Sequence, residues 1–156
     1  NNAPYKAKYD ASFEEKLNPG TNVILSFLSR SYHESIKNGK AYDLSIIENS
    51  DVTTIDFDKE AAHLFYSRPK GTYKGEDSKK ILVDFYLINT TLSENGNKVI
   101  LDVDGEEFII SKWAPYFLEG LEPGEHTFNI KLVDSSNNLI EGPFNESGER
   151  TITIEQ

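Results

Sequence analysis

The chain has 156 residues, 16 of them Lys or Arg and 26 Asp or Glu, for a formal net charge of −10. That balance excludes a general nucleic-acid binder, which needs a basic surface to neutralise phosphates, and it argues against electrostatic docking on anionic lipid. The absence of Cys excludes disulfides, zinc thiolate sites and a thiol nucleophile. No apolar run is long enough for a membrane-spanning helix. Aromatic residues make up 12% of the chain, mostly Tyr and Phe, which favours strands over helices.

In chain order, strand-like runs fall at 22–28, 61–66, 81–88, 98–103, 106–110, 126–133 and 150–154, with no long segment of helical period. Phe128-Asn129-Ile130-Lys131-Leu132 alternates strictly, as in a half-buried strand, and Ile152 and Ile154 continue that pattern. The turns between runs have mechanisms. Pro19-Gly20 and Pro123-Gly124 each precede a strand, where Pro fixes φ and Gly permits a positive one. Asn38-Gly39 marks another turn, and Asp104-Gly105 between two runs predicts a type I′ hairpin.

An internal repeat organises these runs. Residues 5–28 lie over residues 109–132 at an offset of 104 without a gap. Lys8-Tyr9 falls on Lys112-Trp113, Phe13 on Phe117, Pro19-Gly20 on Pro123-Gly124, Ile24 on Phe128 and Leu28 on Leu132. Ser45-Ile46 resembles Thr153-Ile154 if the second copy has roughly four extra loop residues. The fold class read from this is all-β: a complete immunoglobulin-like β-sandwich at 61–156, a linker at 51–60, and a partial related unit at 1–50 whose N-terminal half is missing. Half a sandwich leaves edges and an inner face open, so residues 1–50 are expected to pack on 61–156, on a missing N-terminal segment, or on a partner chain. Val23, Ile24, Leu25, Phe27 and Leu28 put apolar residues on both faces of the first strand, which marks Leu25 and Phe27 as an interface.

Three stretches resemble a known family: Asn2-Ala3-Pro4-Tyr5-Lys6-Ala7-Lys8-Tyr9, Phe27-Leu28-Ser29-Arg30-Ser31-Tyr32-His33-Glu34-Ser35-Ile36-Lys37, and Phe65-Tyr66-Ser67-Arg68-Pro69-Lys70-Gly71-Thr72-Tyr73-Lys74-Gly75. Trp113-Ala114-Pro115-Tyr116-Phe117-Leu118-Glu119-Gly120-Leu121 is similar as well. They are similar to a poorly characterised family of exported proteins of Bacteroidota, often lipoproteins, that sometimes carry the label "phosphopeptide-binding protein". The resemblance implies a periplasmic or outer-membrane location and a lipid anchor upstream of residue 1. It also implies a further N-terminal stretch with a His-x-His pair, which this sequence does not contain.

The candidate binding residues lie in two loops at strand exits. Ser29-Arg30-Ser31-Tyr32-His33-Glu34 follows the first strand, and Ser67-Arg68-Pro69-Lys70-Gly71-Thr72-Tyr73-Lys74 follows the second. Arg30, Arg68, Lys70 and Lys74, with Lys79 and Lys80 nearby, make these loops basic in an acidic protein. Guanidinium forks suit carboxylate or phosphate, and Tyr32, Tyr73 and His33 add stacking and hydrogen bonding. The competing reading is that Arg30 and Arg68 pair with local acids and only organise the loops. His33, His63 and His126 have no metal spacing, and Asp102-Val103-Asp104-Gly105-Glu106-Glu107 fits a hairpin turn better than a calcium loop. No nucleophile elbow, Walker loop or dinucleotide fingerprint occurs. The expected function is therefore non-enzymatic, without a cofactor: an envelope protein working through contacts with a protein partner. The alternative is a small-ligand module for anionic glycan, phosphate or metal on the Arg/Tyr loops.

Overall fold

A computed structural model describes residues 5–38 and 41–155. Its strands are β1 Thr21–Phe27, β2 Tyr42–Glu48, β3 His63–Arg68, β4 Gly71–Lys74, β5 Ile81–Ile88, β6 Lys98–Val103, β7 Glu106–Ile110, β8 Tyr116–Leu118, β9 Gly124–Val133 and β10 Arg150–Glu155, with a 3₁₀ turn at Gly75–Lys79. The turn read at Asn38-Gly39 falls partly outside the described residues.

Residues from β3 onward fold as a sandwich. One sheet has the order β3-β5-β8 and the other β4-β10-β9-β6-β7. All pairs are antiparallel except β4 with β10. The chain crosses from one sheet to the other between β3 and β4, at Pro69, which has no amide hydrogen to give to a ladder. A first strand that switches sheets, followed by Greek-key pairing, is the arrangement of an immunoglobulin-like or fibronectin-III-like sandwich. Period-2 alternation fills its core: Leu64, Tyr66, Ile81, Val83, Phe85 and Leu87 from one sheet meet Val99, Leu101, Phe128, Ile130, Leu132 and Ile152 from the other. Asp104 (φ 54°) and Gly105 (φ 88°) make the β6–β7 turn as expected.

Every residue of β5 is buried, so its outward face must be covered too. The cover is the β1–β2 hairpin. Val23, Leu25, Phe27, Tyr42 and Leu44 pack on Phe65, Tyr86, Ile88 and Phe144. The Phe27 and Tyr86 rings stack at 5.1 Å. The segment read as a linker adds Ile55 and Phe57 to the same layer. It is clasped to the start of β1 by a reciprocal pair: Thr21 N–H donates to Thr54 Oγ1, and Thr54 N–H to Thr21 Oγ1, each at 3.0 Å. Gly20 (φ 93°) lets the chain pass this clasp, since a Cβ there would lie 2.5 Å from Thr54 Oγ1.

The hairpin corrects the repeat in two ways. At the offset of 104, the buried residues of β9, Phe128, Ile130 and Leu132, fall on Ile24, Ser26 and Leu28. In β1 the opposite parity packs inward, Val23, Leu25 and Phe27, while Leu28 is 64% exposed. A one-residue difference in phase sends each side chain to the other face. Pairing also differs: Ile24 sits opposite Ser45 and Phe128 opposite Arg150, so the position matching Ser45 is Arg150 and not Thr153. The likeness between the two segments is one of turn chemistry, Pro-Gly before a strand, and not of core register.

Candidate functional site

The loop joining β1 to β2 is anchored on the outward face of β5. Asp84, fully buried, receives Lys37 Nζ at 2.5 Å and Ser35 Oγ–H at 3.0 Å. Lys37 Nζ also lies 2.7 Å from Ser35 Oγ and 5.7 Å from the centre of the Trp113 ring. Trp113 donates its indole N–H to the Phe85 carbonyl at 3.0 Å, which fixes its plane. A serine beside a lysine has the composition of a nucleophile–base pair. Here Ser35 is 1% exposed, so the hydroxyl is closed to substrate and the group acts as a fastening.

Beside this anchor, a β-bulge re-aims Arg68. Leu64 and Tyr66 point into the sandwich, and simple alternation would send residue 68 the same way. The register shifts between Tyr66 and Arg68, and Arg68 comes to lie opposite Asp84 on the outward side. There it meets Tyr5. The Arg68 guanidinium carbon is 5.4 Å and Lys70 Nζ 5.3 Å from the Tyr5 ring centre, within cation–π range. Phe27 stacks on the same ring at 5.5 Å, and His33 meets it edge-on at 5.9 Å. The Tyr5 hydroxyl lies 3.1 Å from Ser29 Oγ, and Lys70 Nζ donates to the Tyr5 carbonyl. The two loops singled out in the sequence therefore converge on one aromatic ring.

Arg68 and Lys70 are in no ion pair among the described residues. Burial, together with the charges of Arg68 and Lys70, holds the His33 imidazole below its ordinary pKa. Burial and the Arg68 charge likewise lower the Lys70 ammonium. The backbone of His33 is left-handed (φ 71°), and this turn brings its ring to Tyr5.

The other sequence candidates lie elsewhere. Arg30 Nε pairs with Glu34 at 3.1 Å, and the Tyr32 hydroxyl donates to the same carboxylate at 2.9 Å, which raises the Tyr32 pKa. That pair closes its own loop, the organising role foreseen for Arg30. Tyr73 packs against the sandwich core, and its hydroxyl accepts the Lys70 amide at 3.0 Å. Lys74 pairs with Glu155 at 2.7 Å, Lys79 with Glu76 at 2.5 Å and Lys80 with Glu119 at 3.8 Å. Leu25 and Phe27 form an interface within the chain, against β3 and β5. His63 is buried against Phe57, with ring centres 4.2 Å apart. His126 bridges Asp104 at 2.6 Å and the Glu122 carbonyl at 2.7 Å. Asn145, an acceptor for glycosylation by pattern, is fully buried, donates to the Ala62 and Ile140 carbonyls and accepts the Leu64 amide. It is a clamp between the β9–β10 connection and β3. Among the described residues no group of three or more His, Asp or Glu side chains is gathered as a metal site.

A second feature is the edge of β1. The β1–β2 sheet has no third strand among the described residues, so the far side of β1 is unpaired. Thr21-Asn22-Val23-Ile24-Leu25-Ser26-Phe27 carries no charge and no Pro, and its register with β2 has no bulge. The other edges are blunted by the usual devices. β2 carries Asp43 and Glu48, β7 Glu106 and Glu107, and β4 Lys74; β8 has three residues; β3 ends in the bulge.

No family model and no curated protein matches the chain. Among solved structures it is similar to the fibronectin(III)-like modules of Clostridium thermocellum CbhA, at 16% identity and a TM-score of 0.44, over 60% of this chain and 98% of that one. The protein is an all-β sandwich with an added hairpin layer.

Proposed function

We propose that the protein is a non-enzymatic, extracytoplasmic contact module of a bacterial cell envelope, periplasmic or outer-membrane-associated. It binds a partner protein by accepting an extended strand of that partner on the free edge of β1. The observation that carries this reading is the contrast among edges: β1 alone among the described edge strands longer than three residues has neither charge, Pro nor bulge. A row of unpaired amides and carbonyls is recognised by another extended backbone, with side-chain pockets adding specificity. The envelope setting is supported by the segments that resemble exported Bacteroidota proteins. Among the described residues no helix is long and apolar enough to cross a membrane.

The test is cross-linking in envelope extracts of the source cell, with the cross-linked residues mapped. The reading expects a partner joined at residues 21–28. Ile24→Lys and Ser26→Lys, which place charge on the face of β1 turned away from the sandwich, should abolish that capture and leave the thermal midpoint unchanged. Cross-links confined to β7 or β8 would overturn it.

A further inference from the structure

We infer that Arg68, Lys70 and His33, gathered around the Tyr5 ring, form a receiving site for a carboxylate carried by a polypeptide. The site is distinct from the β1 edge, although Phe27, the last residue of β1, stacks on the same Tyr5 ring and joins the two.

Three observations carry it. The first is construction. The bulge at the end of β3 turns Arg68 out of the sandwich and toward Tyr5, and bulges recur where a side chain must be re-aimed. The second is charge. None of the ion pairs among the described residues includes Arg68 or Lys70. Of the acids nearby, Glu34 holds Arg30 and Tyr32, and Asp84 holds Lys37 through Oδ1; Asp84 lies opposite Arg68 in the ladder, but no ion pair joins the two. Two cations thus stand together with no ion-pair partner among the described residues, in a protein of net charge −10. Their mutual repulsion, added to burial, lowers the Lys70 and His33 pKa values, and an arriving anion would relieve it. The third is an orphaned donor. Arg68 Nε is buried and has no hydrogen-bond partner among the described residues, and neither has Asp84 Oδ2 across the ladder, a state that native interiors avoid.

The geometry selects a carboxylate. A guanidinium is a planar fork, and a planar carboxylate matches it with two parallel hydrogen bonds. Lys70 already gives one hydrogen to the Tyr5 carbonyl, so it serves as a point charge beside the fork. An Asp or Glu side chain, or a chain terminus, supplies the group.

The experiment is an NMR titration of the whole chain, reading the Tyr5 and His33 ring protons. The probes are blocked tri-glutamate, blocked tri-glutamine and inorganic phosphate. A tripeptide is too short to pair along the seven residues of β1, so its binding does not depend on strand addition. Tri-glutamate is expected to give saturable shifts at both rings and to raise the His33 pKa, while tri-glutamine gives neither. Arg68→Lys keeps the charge and removes the fork, and should weaken binding roughly tenfold or more. If that variant does not fold, Lys70→Gln replaces it, with weaker binding expected at an unchanged thermal midpoint. Tighter binding of phosphate than of tri-glutamate would overturn the choice of carboxylate. Shifts absent from both rings, or unaffected by either substitution, would overturn the site. Loss of the β1 partner with this titration intact would count against strand addition alone.

Discussion

β9 and β1 each follow a Pro-Gly turn, and they end in different surroundings. β9 lies mid-sheet between β10 and β6, with Phe128, Ile130 and Leu132 fully buried. β1 lies in a two-stranded sheet, with five of its seven residues half-buried, Thr21 buried and Ser26 exposed. The first is held by two ladders and an apolar core. The second is held by one ladder, an aromatic stack on Tyr86 and the Lys37–Asp84 anchor below it. A strand with two ladders has no backbone left to offer. A strand with one does, so between these two the open backbone lies in the hairpin layer and not in the sandwich.

Substitutions can break this comparison in graded fashion. Phe85→Ala empties the fully buried core position and should cost about 3–5 kcal/mol, lowering the chemical-denaturation midpoint of both regions together. Asp84→Asn leaves Lys37 buried without its carboxylate, and a loss of about 3 kcal/mol is expected. Lys37→Met with Asp84→Leu should recover most of that loss, which separates the penalty of a lone charge from the worth of the pair. Leu25→Ala, in the half-buried layer, should cost about 2 kcal/mol, and the loss should appear in amide exchange of β1 and β2 while β9 is unchanged.

The smallest effect is on pH, and its sign differs between the regions. The Glu122 carbonyl and the Asp104 carboxylate raise the His126 pKa above its ordinary 6.5. That contribution is full below 6.5 and fades as pH rises through the raised value. His33 is lowered by burial and by its cationic neighbours, so its contribution is present above 6.5 and is lost as pH falls through the depressed value. Separate ring-proton titrations should show one midpoint above 6.5 and one below it. Each effect should stay under about 1 kcal/mol.

Much of the sandwich was legible because its strands are long and alternate. The runs at 81–88, 98–103 and 106–110 coincide with β5, β6 and β7, and the Asp-Gly turn with the β6–β7 hairpin. β4 and β8, four and three residues long, gave no period to read. The parity of β1 was not legible either, because Ile24 and Leu28 are as apolar as Val23, Leu25 and Phe27, and only packing on Tyr86 decides which set turns inward. At the candidate site, the sequence marked Arg30 and Arg68 alike as Ser-Arg at a strand exit. A carboxylate four residues on closes Arg30 into its loop, while the bulge carries Arg68 to Tyr5. Glu34 was a visible signal for the first outcome. Nothing local announced the second, since Tyr5 lies far off in sequence and reaches Arg68 only through the stacking of the hairpin layer.

The central claim is that β1 is docked on one side and open on the other. Residue-resolved amide hydrogen exchange along Thr21–Phe27 tests it most directly. The account predicts alternation: amides bonded to β2 exchange slowly, and those on the far edge exchange quickly, apart from the Thr21 amide held by Thr54. Slow exchange at every position would show the edge already covered, and fast exchange at every position would show the layer undocked; either result contradicts the account.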